Sequence, residues 1–156
     1  MRIVIPAGLL ARLEGARERM PSLMSDTLLA AATLARGRIA EKAPVNTGAL
    51  RSSFVASLRP GPNPAGIVAT PLVYAPVMEY GRTAGSRMPP VGPIALWAQR
   101  VLGLTEEEAQ EVAWPMARAI ARRGTKPRRF FRGGVKAALP LIRAAFRVAA
   151  RRVLRG

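Results

Sequence analysis

The chain contains no cysteine and no histidine. That excludes thiol nucleophiles, disulfides, thiolate or imidazole zinc ligation, and the side chain that most often acts as a general base near neutral pH. Aromatic residues make up only 5 % of the sequence. A core must therefore be built from Ala, Leu, Val and Ile, which suits close helix packing better than an aromatic-lined ligand pocket. There is no uncharged apolar run of the roughly 18 residues a membrane-spanning helix needs. The start "MRIVIPAGLLARLEG" meets Arg12 and Glu14 too early for a signal-peptide core, so synthesis in the cytosol is expected. Acids are absent from residues 112–156. Residues 1–111 hold 12 Lys and Arg and all 9 acids, whereas residues 112–156 hold the other 13 basic residues. The net charge of +16 is thus concentrated at one end. Such a segment is either a solvated helical face or a surface for phosphate or for an acidic protein ring.

With 156 residues, 49 % of them hydrophobic, the chain fits a single folded domain spanning 1–156. Residues 2–5 read as a short strand closed by Pro6. Leu9, Leu10, Leu13 and Ala16 then follow helical spacing as far as Met20, where Pro21 should break the helix. A second helix, capped by Ser22 or Ser25, runs to about Lys42 on an apolar stripe of Leu28, Leu29, Ala32, Leu34, Ala35 and Ile39. Pro44 disfavours helical dihedrals at Ala43, and Asn46-Thr47-Gly48 supplies turn chemistry with a residue that tolerates positive φ.

Residues 54–58 and 67–69 read as a hairpin around the breaker cluster "RPGPNPAG". Residues 74–80, interrupted by Pro76, suit an edge or bulged strand open to a neighbouring subunit. The Gly- and Pro-rich loop "GRTAGSRMPPVGP" reads as a mobile arm. Two helices form an insertion at about 93–123. The first has an apolar face of Ile94, Trp97, Ala98, Val101 and Leu102; the second opens with a Thr105-x-x-Glu108 capping box and ends at Gly124. A basic amphipathic helix at about 133–155 closes the chain, with Val135, Leu139, Ile142, Phe146 and Val153 on one face and Arg143, Arg147, Arg151 and Arg155 on the other. The expected fold is α+β: a small, mainly antiparallel sheet of about four strands, packed by the long N-terminal-half helix and the C-terminal helix.

The order of these landmarks is the most specific feature. Pro44, Asn46, Thr47, Gly48, Leu50 and Arg51 are followed by Tyr74, Ala75, Glu79, Tyr80 and Gly81, and then by Phe130 and Phe131 before the last helix. In this order the chain resembles the neck and tail-completion proteins of long-tailed bacteriophages, the head-tail joining, tail-terminator-like subunits. It departs from their pattern at Asn46, where Asp is more usual, and at Arg129, where Pro is common. The resemblance implies a structural virion protein, assembled in the host cytoplasm and located in the tail or neck. Its subunits would form a ring, hexameric by that likeness, that caps the tail tube and docks on the head connector or neck protein. DNA in the lumen is a further partner; membrane and cofactor are not implied. The candidate turn residues are Pro44, Asn46, Thr47, Gly48 and Gly81, and the subunit-interface candidates are Tyr74, Glu79, Tyr80 and Arg82. Contacts to an acidic partner or DNA fall on Arg128, Arg129, Arg143, Arg147, Arg151 and Arg155.

Chemistry has few residues to work with. Glu79 is the only acid between Glu41 and Glu106, and a single carboxylate with no second acid, His or Cys is weak catalytic machinery. Its expected role is an ion pair with an Arg, or acceptance of backbone N–H groups at Gly81. Ser52 and Ser53 lack a base, and neither "GTK" nor "GRTAGSR" has phosphate-loop spacing. No enzyme activity is expected. The alternative function is a basic protein that binds nucleic acid without regard to sequence, although no helix-turn-helix, zinc or RNA-binding aromatic pattern is visible.

Overall fold

The structure is a computed structural model that describes the backbone of residues 7–155; for residues 7–14, 16, 154 and 155 it describes the backbone alone. The strand expected at residues 2–5 lies outside the described residues. The elements in chain order are α1 (Ala7–Lys42), α2 (Ala49–Ser52), β1 (Val55–Arg59), β2 (Ala65–Ala69), α3 (Ala75–Tyr80), α4 (Val91–Leu102), α5 (Glu106–Arg123) and α6 (Phe130–Arg155). The fold is α+β, with a two-stranded antiparallel sheet among the described residues where about four strands were expected. The described residues gather into two compact units, one within residues 1–42, 54–70 and 133–156 and the other within residues 43–53 and 71–132.

In the first unit α1 is one helix of 36 residues that runs through Pro21. The expected break does not occur. Proline removes one backbone donor and crowds the preceding turn, and the turns on either side carry the helix past it. Neither expected cap is a cap: Ser22 Oγ donates to the Arg19 carbonyl at 3.0 Å inside the helix, and Ser25 is likewise internal. The expected end at Lys42 is observed, immediately before Ala43-Pro44. The buried seam of α1 is Ala31, Ala32, Ala35 and Ile39, while Leu29 is exposed. Small residues on this seam let neighbouring backbone come close. The β1–β2 hairpin, paired from Val55↔Ala69 to Arg59↔Ala65, packs on α1, with Gly66 against the Leu28 carbonyl and Ala32. At the start of the α6 contact a Cβ on Gly134 would lie 2.7 Å from the Ile39 nitrogen, so only glycine fits. Ala138, one turn later, is fully buried, whereas Leu139, expected on the apolar face, is exposed.

In the second unit α4 and α5 form the expected helical pair. Their seam is again alanine: Ala95 and Ala98 on α4 meet Ala109 and Ala113 on α5, flanked by Val91, Ile94, Trp97, Leu104 and Val112. Val101 and Leu102, expected on this face, are both half exposed. The Thr105 capping box is present, with Thr105 Oγ1 accepting the Glu108 N–H at 3.3 Å and Glu108 Oε2 accepting the Thr105 N–H at 2.9 Å. Pro115 and Pro140 lie inside α5 and α6, and neither interrupts its helix.

Candidate functional site

The expected turn at 44–48 is observed. Gly48 has φ 80°, a left-handed conformation that disfavours any Cβ, and it starts the short helix α2, which the sequence reading did not anticipate. Thr47 Oγ1 accepts the Ala49 N–H at 3.3 Å, and Ser52 N–H donates to the Gly48 carbonyl at 3.0 Å. Asn46 is exposed and Pro44 half-buried.

Residues 75–80 are helix α3, with Tyr74 as its N-cap, and not an edge strand. Pro76 falls at the first positions of this helix, where the missing N–H is one of those that no helical turn can satisfy, so the proline starts a helix and does not mark a sheet edge. Glu79 is buried on α3 and belongs to the chain's own fold. Its Oε2 accepts the Phe131 N–H at 2.7 Å and its Oε1 accepts the Arg132 N–H at 3.0 Å. These are two of the orphan donors at the first turn of α6, and a carboxylate there also meets the positive end of the helix dipole. The expected acceptance of backbone N–H groups is thus observed, at the Phe130-Phe131 landmark and not at Gly81.

The same latch continues through the backbone. Arg128 N–H donates to the Met78 carbonyl at 3.0 Å and Arg129 N–H to the Glu79 carbonyl at 3.1 Å. Arg129 has φ 52°, a left-handed conformation uncommon for a residue with a Cβ. Neither that dihedral nor that N–H is available to proline, so this loop conformation requires another residue at position 129.

Gly81 ends α3 with φ 75° and ψ −166°, and Gly124 ends α5 with φ 71° and ψ −168°, a region essentially reserved for glycine. They flank one antiparallel bridge, in which Arg82 N–H donates to the Thr125 carbonyl at 3.1 Å and Thr125 N–H to the Arg82 carbonyl at 3.0 Å. A Cβ on Gly81 would strike the Thr125 carbonyl, and one on Gly124 the Arg82 carbonyl. The role of Gly124 in this pairing was missed; Gly124 was legible as a helix end and Gly81 as a turn residue, but the two lie 43 residues apart in sequence.

The loop expected to be a mobile arm is tied down in its first half. Gly85 N–H donates to the Ala121 carbonyl at 2.8 Å, and Arg82 Nη2 donates to the Arg87 carbonyl. Arg82 is therefore half-buried in its own loop, whereas two of its fellow interface candidates are open: Tyr80 is 76 % and Tyr74 45 % exposed, beside Val73 at 92 %. Arg128, Arg129, Arg143, Arg147 and Arg151 are all exposed; the side chain of Arg155 lies outside the described residues. Arg143, Arg147 and Arg151 recur every fourth residue along α6, so like charges face one another across successive turns with no acid on that helix to offset them.

Among the described residues no group of three or more Asp, Glu, His or Cys side chains could hold a metal, and no helix is long and apolar enough to cross a membrane. With both Glu79 oxygens engaged by backbone, the arrangement joins α3, the 125–129 loop and α6 into one fastening and presents tyrosines and arginines outward. No family model, curated protein or solved structure matches this chain.

Proposed function

We propose that the chain is a structural virion protein whose copies form a ring at the head-proximal end of a long phage tail, capping the tail tube and joining it to the head. The observation that carries this reading is the Glu79 latch. It gives one physical purpose to two separate sequence landmarks, the Glu-Tyr-Gly triplet and the Phe-Phe pair, and uses the chain's one isolated acid for shape. The exposed Tyr74, Tyr80 and the arginine row of α6 are then what a ring offers to neighbouring copies, the tail tube, the connector or DNA in the lumen. The test is to add purified protein to tail tubes: co-sedimentation, with a cap visible at one end only, supports the reading, and tubes that pellet without the protein refute it.

A second reading, a basic protein that binds nucleic acid without regard to sequence, draws on the same arginine row. Guanidinium contacts to phosphate position a protein without reading bases, and they weaken steeply with salt.

A further inference from the structure

α1 and α6 enclose an open apolar cleft of about 280 Å³ lined chiefly by Met20, Leu23, Met24, Phe146, Ala149 and Val153. Its polar surroundings are cationic on the α6 side. Arg143 precedes Phe146 by three residues and Arg147 precedes Ala150 by three, which places both along one flank, while Arg152 lies on the other with Arg19 and Asp26. A second copy cannot set the same cleft against this one without bringing arginine rows together. A phosphate surface has no use for the apolar floor.

The chain carries a complementary face elsewhere. On α5, Glu107, Gln110, Glu111, Trp114 and Arg118 recur at helical spacing and all are exposed, with Trp114 51 % exposed beneath the Arg118 guanidinium at 5.2 Å. This helix face combines a large aromatic with two carboxylates within two turns of it, separate from the alanine seam that packs on α4. Exposed tryptophan is costly to leave in water and is characteristic of the centre of a protein interface.

We propose that the α5 face of one copy docks in the α1–α6 cleft of the next, with Trp114 seated among Met20, Met24 and Phe146 and with Glu107 and Glu111 against Arg143 and Arg147. This is a helix-in-groove contact in which apolar filling supplies affinity and the charges set the register. It joins two different surfaces of identical chains, so it repeats from copy to copy and closes into a ring when the rotation permits. It rests on the ring reading above and names the contact that builds the ring.

Sedimentation over a concentration series tests it with wild-type protein, Trp114→Ser, the charge reversals E107R/E111R and R143E/R147E, and an equimolar mixture of the two reversals, each checked for helical content. The contact predicts assembly of the wild type, at least tenfold weaker association for Trp114→Ser, and loss of assembly for each reversal alone. It also predicts recovery in the mixture, where unlike charges meet again at every junction. Assembly that is indifferent to all these changes overturns the contact and leaves the ring reading to another surface. Loss in each reversal without recovery in the mixture overturns the pairing. Recovery in the mixture by particles that ignore tail tubes upholds the contact and removes the tail reading. A wild type that stays monomeric with and without tail tubes contradicts both.

Discussion

Glu79 accepts the backbone N–H of Phe131 at 2.7 Å across 52 residues of sequence, and thereby ties the end of a six-residue helix to the start of one of 26 residues. Replacing Glu79 with Gln leaves one oxygen to serve two part-buried donors and turns an amide NH2 toward one of them. The expected cost is about 1–3 kcal/mol, with a larger loss for Glu79→Ala, read from urea unfolding. An unchanged midpoint for both would show that the carboxylate is dispensable to the fold.

Gly81 and Gly48 both have positive φ but differ in surroundings: a Cβ at Gly48 meets nothing within 4 Å, and one at Gly81 meets the Thr125 carbonyl and lies 2.9 Å from the Pro127 nitrogen. Gly48→Ala should therefore cost only backbone strain, about 1–3 kcal/mol, and Gly81→Ala considerably more, because the Arg82–Thr125 bridge must open. Thermal melts that rank the two variants in the opposite order would contradict the assignment.

Glu108 ionises more readily than an ordinary carboxyl because it accepts the Thr105 backbone N–H first and its hydroxyl second. A depressed folded-state value means that its contribution is fully present above the unfolded value of about 4.5 and is lost as pH falls through the folded value. Glu108→Gln should accordingly flatten the loss of stability as pH falls below about 4.5 while altering the near-neutral pH dependence little. Parallel acid limbs for the two proteins would exclude the coupling.

Gln at Arg143, Arg147 and Arg151 together should spare the fold, since all three side chains are exposed, and should weaken association between copies and, with it, docking to tail or connector. Any DNA binding by the wild type should fall steeply with salt and show no base preference. Tight binding that survives high salt and selects one sequence would favour a dedicated nucleic-acid-binding protein.

How much of this was legible in the sequence follows from the range of the forces involved. The end of α1 at Ala43-Pro44, the left-handed Gly48, the hairpin and the Thr105 box are set by dihedral preferences and hydrogen bonds within a few residues, and all were readable. Pro21 and Pro76 were misread because proline's effect depends on its place in a helix, which neighbouring turns decide. The apolar seams were displaced in part: Ala98 is buried as expected, but Ala31, Ala95, Ala113 and Ala138 are buried where Leu29, Val101, Leu102 and Leu139 are not, since close helix approach selects small residues over the most hydrophobic ones. Glu79 could be singled out as the isolated acid, but its partners at Phe131 and Arg132 are a tertiary fact. So is the pairing of Gly81 with Gly124.

The central claim is that copies of this chain build a closed ring. Negative-stain imaging of the purified protein, alone and after mixing with tail tubes, tests it most directly. The account predicts annular particles of uniform diameter, or monomers that become a single annular cap at one end of each tube. A monomer that neither forms annuli nor appears at tube ends would contradict it.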